Sequence, residues 1–212
     1  MPLMDLDATE VRVLGCLIEK QRTTPDAYPL SLNALRSACN QSTNRDPVVA
    51  YDEETIRGAV QRLGRRRLTR LTSGHSSRVA KYRHLLDEEL GLDRAEQAVL
   101  AVLALRGEQT PGELKQRTER MQPFASMDEL HEVLTRLIDR ELVAQLARRP
   151  GQKEERFRHR LSDEADEVET PAAAPAVVVP PPPRRDDRLD RLEREVAELR
   201  EELKALRAEL GA

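Results

Sequence analysis

The feature that most constrains this chain is an internal repeat whose spacing changes partway along. Asp93-Arg94-Ala95-Glu96 restates Asp7-Ala8-Thr9-Glu10 at an offset of 86 (93 against 7), and Thr110-Pro111 restates Thr24-Pro25 at the same offset. Further on, Leu137 against Leu63 and Leu142 against Leu68 give 74, and Phe157-Arg158-His159 against Tyr82-Arg83-His84 gives 75. A duplicated unit whose second copy is twelve residues shorter (86 less 74) accounts for these offsets. The expected site of that loss is the polar segment between the second and third helices, Asn40 to Tyr51.

Each copy reads as three helices followed by a hairpin. Asp7 and Glu10 form a capping-box start, and Val11, Leu14, Leu17 and Ile18 follow at helical spacing. Ser31 can cap a second helix, with Leu32, Leu35, Ala38 and Cys39 on its apolar side, and Asp52 a third running to Arg67. There Ile56, Val60, Leu63 and the stem of Arg67 are expected to face inward. Leu68–Thr72 and Val79–Leu85 alternate as half-buried strands around Ser73-Gly74-His75-Ser76-Ser77. Helices followed by strand, loop and strand are the order of parts in a winged helix. The expected fold class is mainly α, of the α+β winged-helix type. The expected domains are 1–86 and 87–161, with the core split into two small ones. An acidic and Pro-rich linker at 162–187 and a coiled-coil helix at 188–212 complete the chain.

In that last helix Leu189, Val196, Leu203 and Leu210 fit position a, and Leu192, Leu199 and Leu206 fit position d. The flanking pairs Arg188–Glu193, Glu195–Arg200 and Glu202–Arg207 all attract in a parallel arrangement, which points to a homodimer. Leu at both a and d is also compatible with a trimer. Pro180 to Pro183 make the preceding segment a semi-rigid polyproline spacer.

Charge is segregated. The chain carries a net charge of −3, yet Thr55–Leu86 holds nine Arg and Lys residues and no Asp or Glu. Cations near a helix C-terminus are favoured by the macrodipole, so a plain solvated surface is one reading. The other is a nucleic-acid face, because a third helix in the major groove and a wing on the backbone both need positive charge. Arg57, Gln61 and Arg65 lie on one helical stripe, with Arg62 and Arg66 beside it. Arg70, Arg78 and Lys81 extend the positive charge into the hairpin. Gln61 suits a base edge, and Arg can contact guanine bidentately. The expected partner is duplex DNA. The third helix of the second copy mixes Glu129, Glu132, Asp139 and Glu141 with Arg136 and Arg140, which suits packing or a protein partner instead.

Other chemistry has little support. His75, His84, His131 and His159 show no metal-ligand spacing, and no Walker, G-x-S-x-G or dinucleotide string occurs, so neither an enzyme nor a metal or other cofactor is expected. Cys16 and Cys39, the two cysteines, read as buried thiols of a reducing compartment. No apolar run approaches the roughly 20 residues of a membrane span. The N-terminal residues lack the pattern of a secretory signal. The expected location is the cytoplasm.

Leu17-Ile18-Glu19-Lys20, Thr23-Thr24-Pro25, Tyr28-Pro29-Leu30-Ser31 and the long string Ala38-Cys39-Asn40-Gln41-Ser42-Thr43-Asn44-Arg45-Asp46-Pro47-Val48 resemble the YceH family of bacterial proteins. The likeness continues through Ser77-Arg78-Val79, Lys81-Tyr82, Arg106-Gly107 and Gln109-Thr110-Pro111-Gly112-Glu113-Leu114, covering about residues 5–161. It implies two tandem winged helices in a cytosolic protein and supplies no catalytic residues. The Asn40–Pro47 segment reads either as a self-capped loop or as a ligand or partner surface built from Asn40, Gln41, Asn44 and Arg45. A scaffold of the chromosome-segregation-accessory kind, working without direct DNA contact, is the alternative function. An RNA-associated role is a third.

Overall fold

The computed structural model describes residues 4–72, 79–148 and 154–162, a mixed α and β structure with small antiparallel sheets. The first half comprises α1 (Ala8–Thr23), β1 (Leu30–Ser31), α2 (Leu32–Cys39), α3 (Glu53–Arg65), β2 (Thr69–Thr72) and β3 (Lys81–His84). A short α4 (Leu86–Leu90) ends at Gly91, whose φ of 58° suits a residue without a Cβ. The second half follows with α5 (Arg94–Arg106), α6 (Pro111–Thr118), α7 (Met127–Asp139), β4 (Val143–Leu146) and β5 (Arg156–His159).

The caps expected at Asp7, Ser31 and Asp52 form, and the second half has its own. Asp7, Ser31, Asp52, Asp93, Thr110 and Ser126 each accept from a first-turn amide, and three of them complete reciprocal capping boxes with Glu10, Glu96 and Glu113. α3 ends earlier than expected, at Arg65. Arg67 adopts a left-handed φ of 61° and is exposed, so its stem does not face the core.

The repeat is visible in three dimensions, with one shift in register. α3 and α7 share the offset of 74, as do β2 and β4, and the following strands give 75. The second helices, however, align at 79 (Leu32 against Pro111), because Ser31 in α2 plays the part of Thr110 in α6. Thr24-Pro25 instead opens one turn of 3-10 helix, Pro25–Ala27. The pairing Leu30↔Tyr82 is matched by the bridge Gln109↔Phe157, with Leu30 and Gln109 at the same offset of 79 and Tyr82 and Phe157 at the strand offset of 75. Seven of the twelve extra residues therefore lie before α2 (86 less 79), and only five between α2 and α3 (79 less 74). The expectation that the whole insertion sits in the Asn40–Tyr51 segment is corrected accordingly.

The core is also not divided. Buried residues of both halves form one continuous apolar cluster, with α1 against α5 as its largest helix contact. Gly15 permits that approach: a Cβ there would lie 2.9 Å from Leu105 Cγ and 3.2 Å from Ala104 Cβ. Val13, Leu14, Leu17 and Val99, Leu100, Leu103 are all buried, so both helices are covered on nearly every side along their middles, α5 with an almost wholly apolar surface and α1 with Glu10 and Arg12 buried among its apolar residues. Among the described residues no helix is long and apolar enough to cross a membrane. Arg78, the loops expected as wings, the expected linker beyond Ser162 and the heptad residues Leu189, Leu192, Val196, Leu199, Leu203, Leu206 and Leu210 lie outside the described residues.

Candidate nucleic-acid interface

α3 buries Ile56, Ala59, Val60 and Leu63 and turns Arg57, Gln61 and Arg65 to solvent. Its N-cap is firm: bonds from Thr55 hold the Asp52 carboxyl below its ordinary range. Arg57 pairs with Glu53 one turn back, at a site half exposed on both sides, so its charge is partly answered locally.

Arg62 and Arg66 do a different job from the one expected. Arg62 reaches across to the start of α1, pairing with Asp7 and, at 3.1 Å, with the buried Glu10 carboxylate. Arg66 donates to the carbonyls of Met4 and Asp5. The second half repeats the arrangement at the offset of 74. Arg136 pairs with Asp93 at 2.9 Å and Glu96 at 3.4 Å, while Arg140 reaches Glu96 at 3.3 Å and the Leu90 carbonyl. Both halves thus clamp the third helix onto the capping box of the first. Glu10 and Glu96 are 2% and 4% exposed, so each is a buried charge that these guanidinium groups neutralise.

What remains is a smaller cationic face. Among the described residues Arg65, Arg67, Arg70 and Lys81 have no carboxylate partner. Arg70 on β2 is exposed and sits opposite Arg83 in the ladder, and Arg83 is answered by Glu88 at 2.7 Å. Lys81 is the first residue of β3. Equivalent positions in the second half are Asp139, Glu141, Ala144 and Arg156, the last bonded to Glu113. Arg67 was missed in the sequence because its helix was drawn two residues too long. The same hairpin exposes Leu71 (53%) and Val79 (57%).

The Asn40–Pro47 segment is a strap tied from both halves. Asn40 exchanges two bonds with the Tyr51 backbone, closing the loop on itself. Arg45 is buried, with its Nη1 and Nη2 on the two Glu19 oxygens at 3.1 and 2.6 Å and its Nε on the Ala38 carbonyl at 3.0 Å. Burial alone would depress the guanidinium, but the bonds to Glu19 prevail and hold it above its ordinary value. Gln41 accepts from Arg45 at 2.8 Å, Asn44 accepts from Arg106, and the Asp46 amide donates to the Leu105 carbonyl in the second half. Asn40 and Arg45 are therefore spent internally, whereas Gln41 and Asn44 keep an outward side. Among the described residues no group of three His, Cys, Asp or Glu side chains is placed to hold a metal ion.

Residues 6–152 match the family model described as "Protein of unknown function, DUF480". A UPF0502 protein of Pelobacter propionicus is 49% identical over 210 residues, covering 96% of this chain and 94% of its own. The UPF0502 protein YceH of Salmonella newport is 43% identical over 214 residues, covering 98% of each chain. These alignments run past residue 152, so the segment beyond the family model is shared with both relatives.

Proposed function

The chain belongs to the DUF480 family, which takes in the YceH proteins, and on that footing we propose that it is a non-enzymatic, DNA-binding, regulator-like protein built on two tandem winged helices. What supports that reading is the order of parts: a helix, a short strand, two helices and a hairpin whose inner strand pairs with the short one in the first half, and the same order in the second with the isolated bridge Gln109↔Phe157 in place of the short strand. The first half supplies the DNA face. Gln61 and Arg65 on α3 meet base edges, while Arg67, Arg70, Lys81 and the wing residue Arg78 meet phosphates. The C-terminal heptads join two chains in parallel, so that two faces can engage two half-sites.

One observation carries this reading. Arg65, Arg67 and Arg70 lack carboxylate partners among the described residues, and the second half replaces them with Asp139, Glu141 and Ala144 without losing the fold. Those charges are not needed to build the unit. A protein-interaction scaffold is the second reading, favoured by the exposed Leu71 and Val79, which a purely phosphate-facing hairpin does not require.

The test is duplex binding as a function of salt. Log affinity should fall with log salt by about 0.9 for each phosphate neutralised. Arg65→Glu with Arg70→Glu should reduce affinity at least tenfold and flatten the slope, with the far-ultraviolet spectrum unchanged. A wild-type protein that binds no duplex at low salt would favour the scaffold. Arg62 and Arg66 are unsuitable for this test, since their loss would disturb the clamp on α1.

A further inference from the structure

A cleft of about 590 Å³ opens where the last turns of α1, α5 and α6 meet the strap. Its volume lies within the range of small-molecule sites, roughly 300–1,000 Å³. Lys20, Arg106, Arg117 and Arg120 line it, and the one carboxylate among its lining residues is Glu19. Glu19 has both oxygens bound by the buried Arg45 and also lies 3.4 Å from Lys20, so the arginines Arg106, Arg117 and Arg120 are left without an answering carboxylate from it.

Each cation taken singly has a local explanation, because basic residues favour helix C-termini. Three such ends contribute roughly half a negative charge each, which four cations outweigh. The crowding is felt: burial first, and then the neighbouring Arg117, lowers the pKa of Arg106. Arg117 has a carboxylate at 3.4 Å, Glu113, but that group is shared with Arg156 at the same distance. Arg120 is exposed and has no carboxylate partner among the described residues.

We propose that this cleft binds a small anion carrying two or more phosphates, gripped by Arg106, Arg117, Arg120 and Lys20. Forked guanidinium donors suit phosphate oxygens, and three of the four cations are arginines. The charges come from the ends of α1 and α5 and from the last turn of α6 and the residues just after it, a distribution around the cleft that suits a diphosphate or triphosphate. Gln41 and Asn44 on the strap add neutral hydrogen-bonding groups along one wall. The strap leads directly into the Asp52 cap of α3, so a ligand seated there would bear on the proposed DNA-reading helix. This inference does not depend on DNA binding, since the cleft residues and the α3 face are distinct.

The test is titration calorimetry on the full chain with magnesium-free pyrophosphate and adenosine triphosphate, against sodium chloride at matched ionic strength. At least one of the two probes should bind, and Arg117→Gln with Arg120→Gln should weaken it at least tenfold. Arg120→Gln alone, at an exposed position that cannot compromise folding, should weaken it about threefold. Arg65→Glu with Arg70→Glu should leave it unchanged. Binding of neither probe at millimolar concentration would overturn the proposal, as would equal affinity in the Arg120 variant. A loss of duplex affinity in the cleft variants as large as that from the α3 variants would overturn it too, placing the cleft in the nucleic-acid surface.

Discussion

The two halves of this molecule solve the same folding problem with partly different residues, and the differences separate architecture from function. Where the halves agree, the side chain builds the unit: Asp7 and Asp93, Glu10 and Glu96, Arg62 and Arg136, Arg66 and Arg140 form the same clamp twice. Where they disagree, the unit tolerates either residue. Arg65 against Asp139 and Arg67 against Glu141 reverse charge at two positions near one helix end, with no change in the local backbone. Arg67 and Glu141 even share a left-handed φ, 61° and 56°. A basic surface read as one patch is thus two populations, one structural and one available to a partner.

The connection between second and third helices sharpens the contrast most. The first half fills it with the buried Arg45–Glu19 pair, and the second half buries Phe124 in its shorter connection. Removing one member of a buried pair strands the other, typically at a cost of about 3–5 kcal/mol. Glu19 is 14% exposed and keeps Lys20 at 3.4 Å, so Arg45→Ala should fall at the low end of that range, lowering unfolding free energy by about 3 kcal/mol in urea titration, still the largest single effect expected here. Adding Glu19→Ala should recover part of that loss, because the stranded carboxylate is then gone. Simple additivity of the two changes would show that the clasp is not a coupled unit.

Much of the plan was legible because helix caps and apolar spacing are local. Asp7, Ser31, Asp52 and Ser126 start helices where short-range chemistry says they should. Thr24-Pro25 misled, because Thr-Pro opens a helix in either of two ways. Asp26-Ala27-Tyr28-Pro29 places a second proline four residues on and stops the turn, whereas Gly112-Glu113-Leu114 lets α6 continue. The clamps were hidden by distance, since Arg62 lies 52 residues from Glu10. A signal for them existed nonetheless: Arg62 and Arg66 recur at the offset of 74, while Arg65 and Arg67 do not. The shared core was not legible, because an apolar helix looks the same whether its neighbour belongs to its own half or the other.

Histidine titration offers a second comparison, since His84 and His159 are equivalent positions. Burial depresses both to about 4, against an ordinary 6.5. For His84 burial outweighs Asp87 at 3.5 Å, so the two are not an ion pair at neutral pH. The folded state binds protons less readily than the unfolded one, so stability is intact above pH 6.5 and falls as pH drops from there toward 4. His84→Gln and His159→Gln should each make the acid limb of stability shallower. Each histidine accounts for up to about 3 kcal/mol at pH 4, at roughly 1.4 kcal/mol per pH unit. A shallower limb in only one variant would mean that the equivalence of the two sites is merely geometric.

The smallest effect is the most direct test of the division between the halves. Arg62 and Arg136 have side chains 40% and 47% exposed, so screening limits each clamp, and alanine at either should cost about 1 kcal/mol. The loss should be the larger at Arg62, because Arg136→Ala leaves Glu96 still paired with Arg140 at 3.3 Å, whereas Arg62→Ala leaves the buried Glu10 with no guanidinium partner among the described residues. If Arg62 is purely structural, Arg62→Ala should weaken duplex binding no more than Arg136→Ala does, once both are measured well below their unfolding midpoints. A selective loss at Arg62 would return that residue to the DNA face. The clamp and the contact would then be alternative states of one guanidinium, with DNA drawing Arg62 away from Glu10 and loosening α3 from the start of α1.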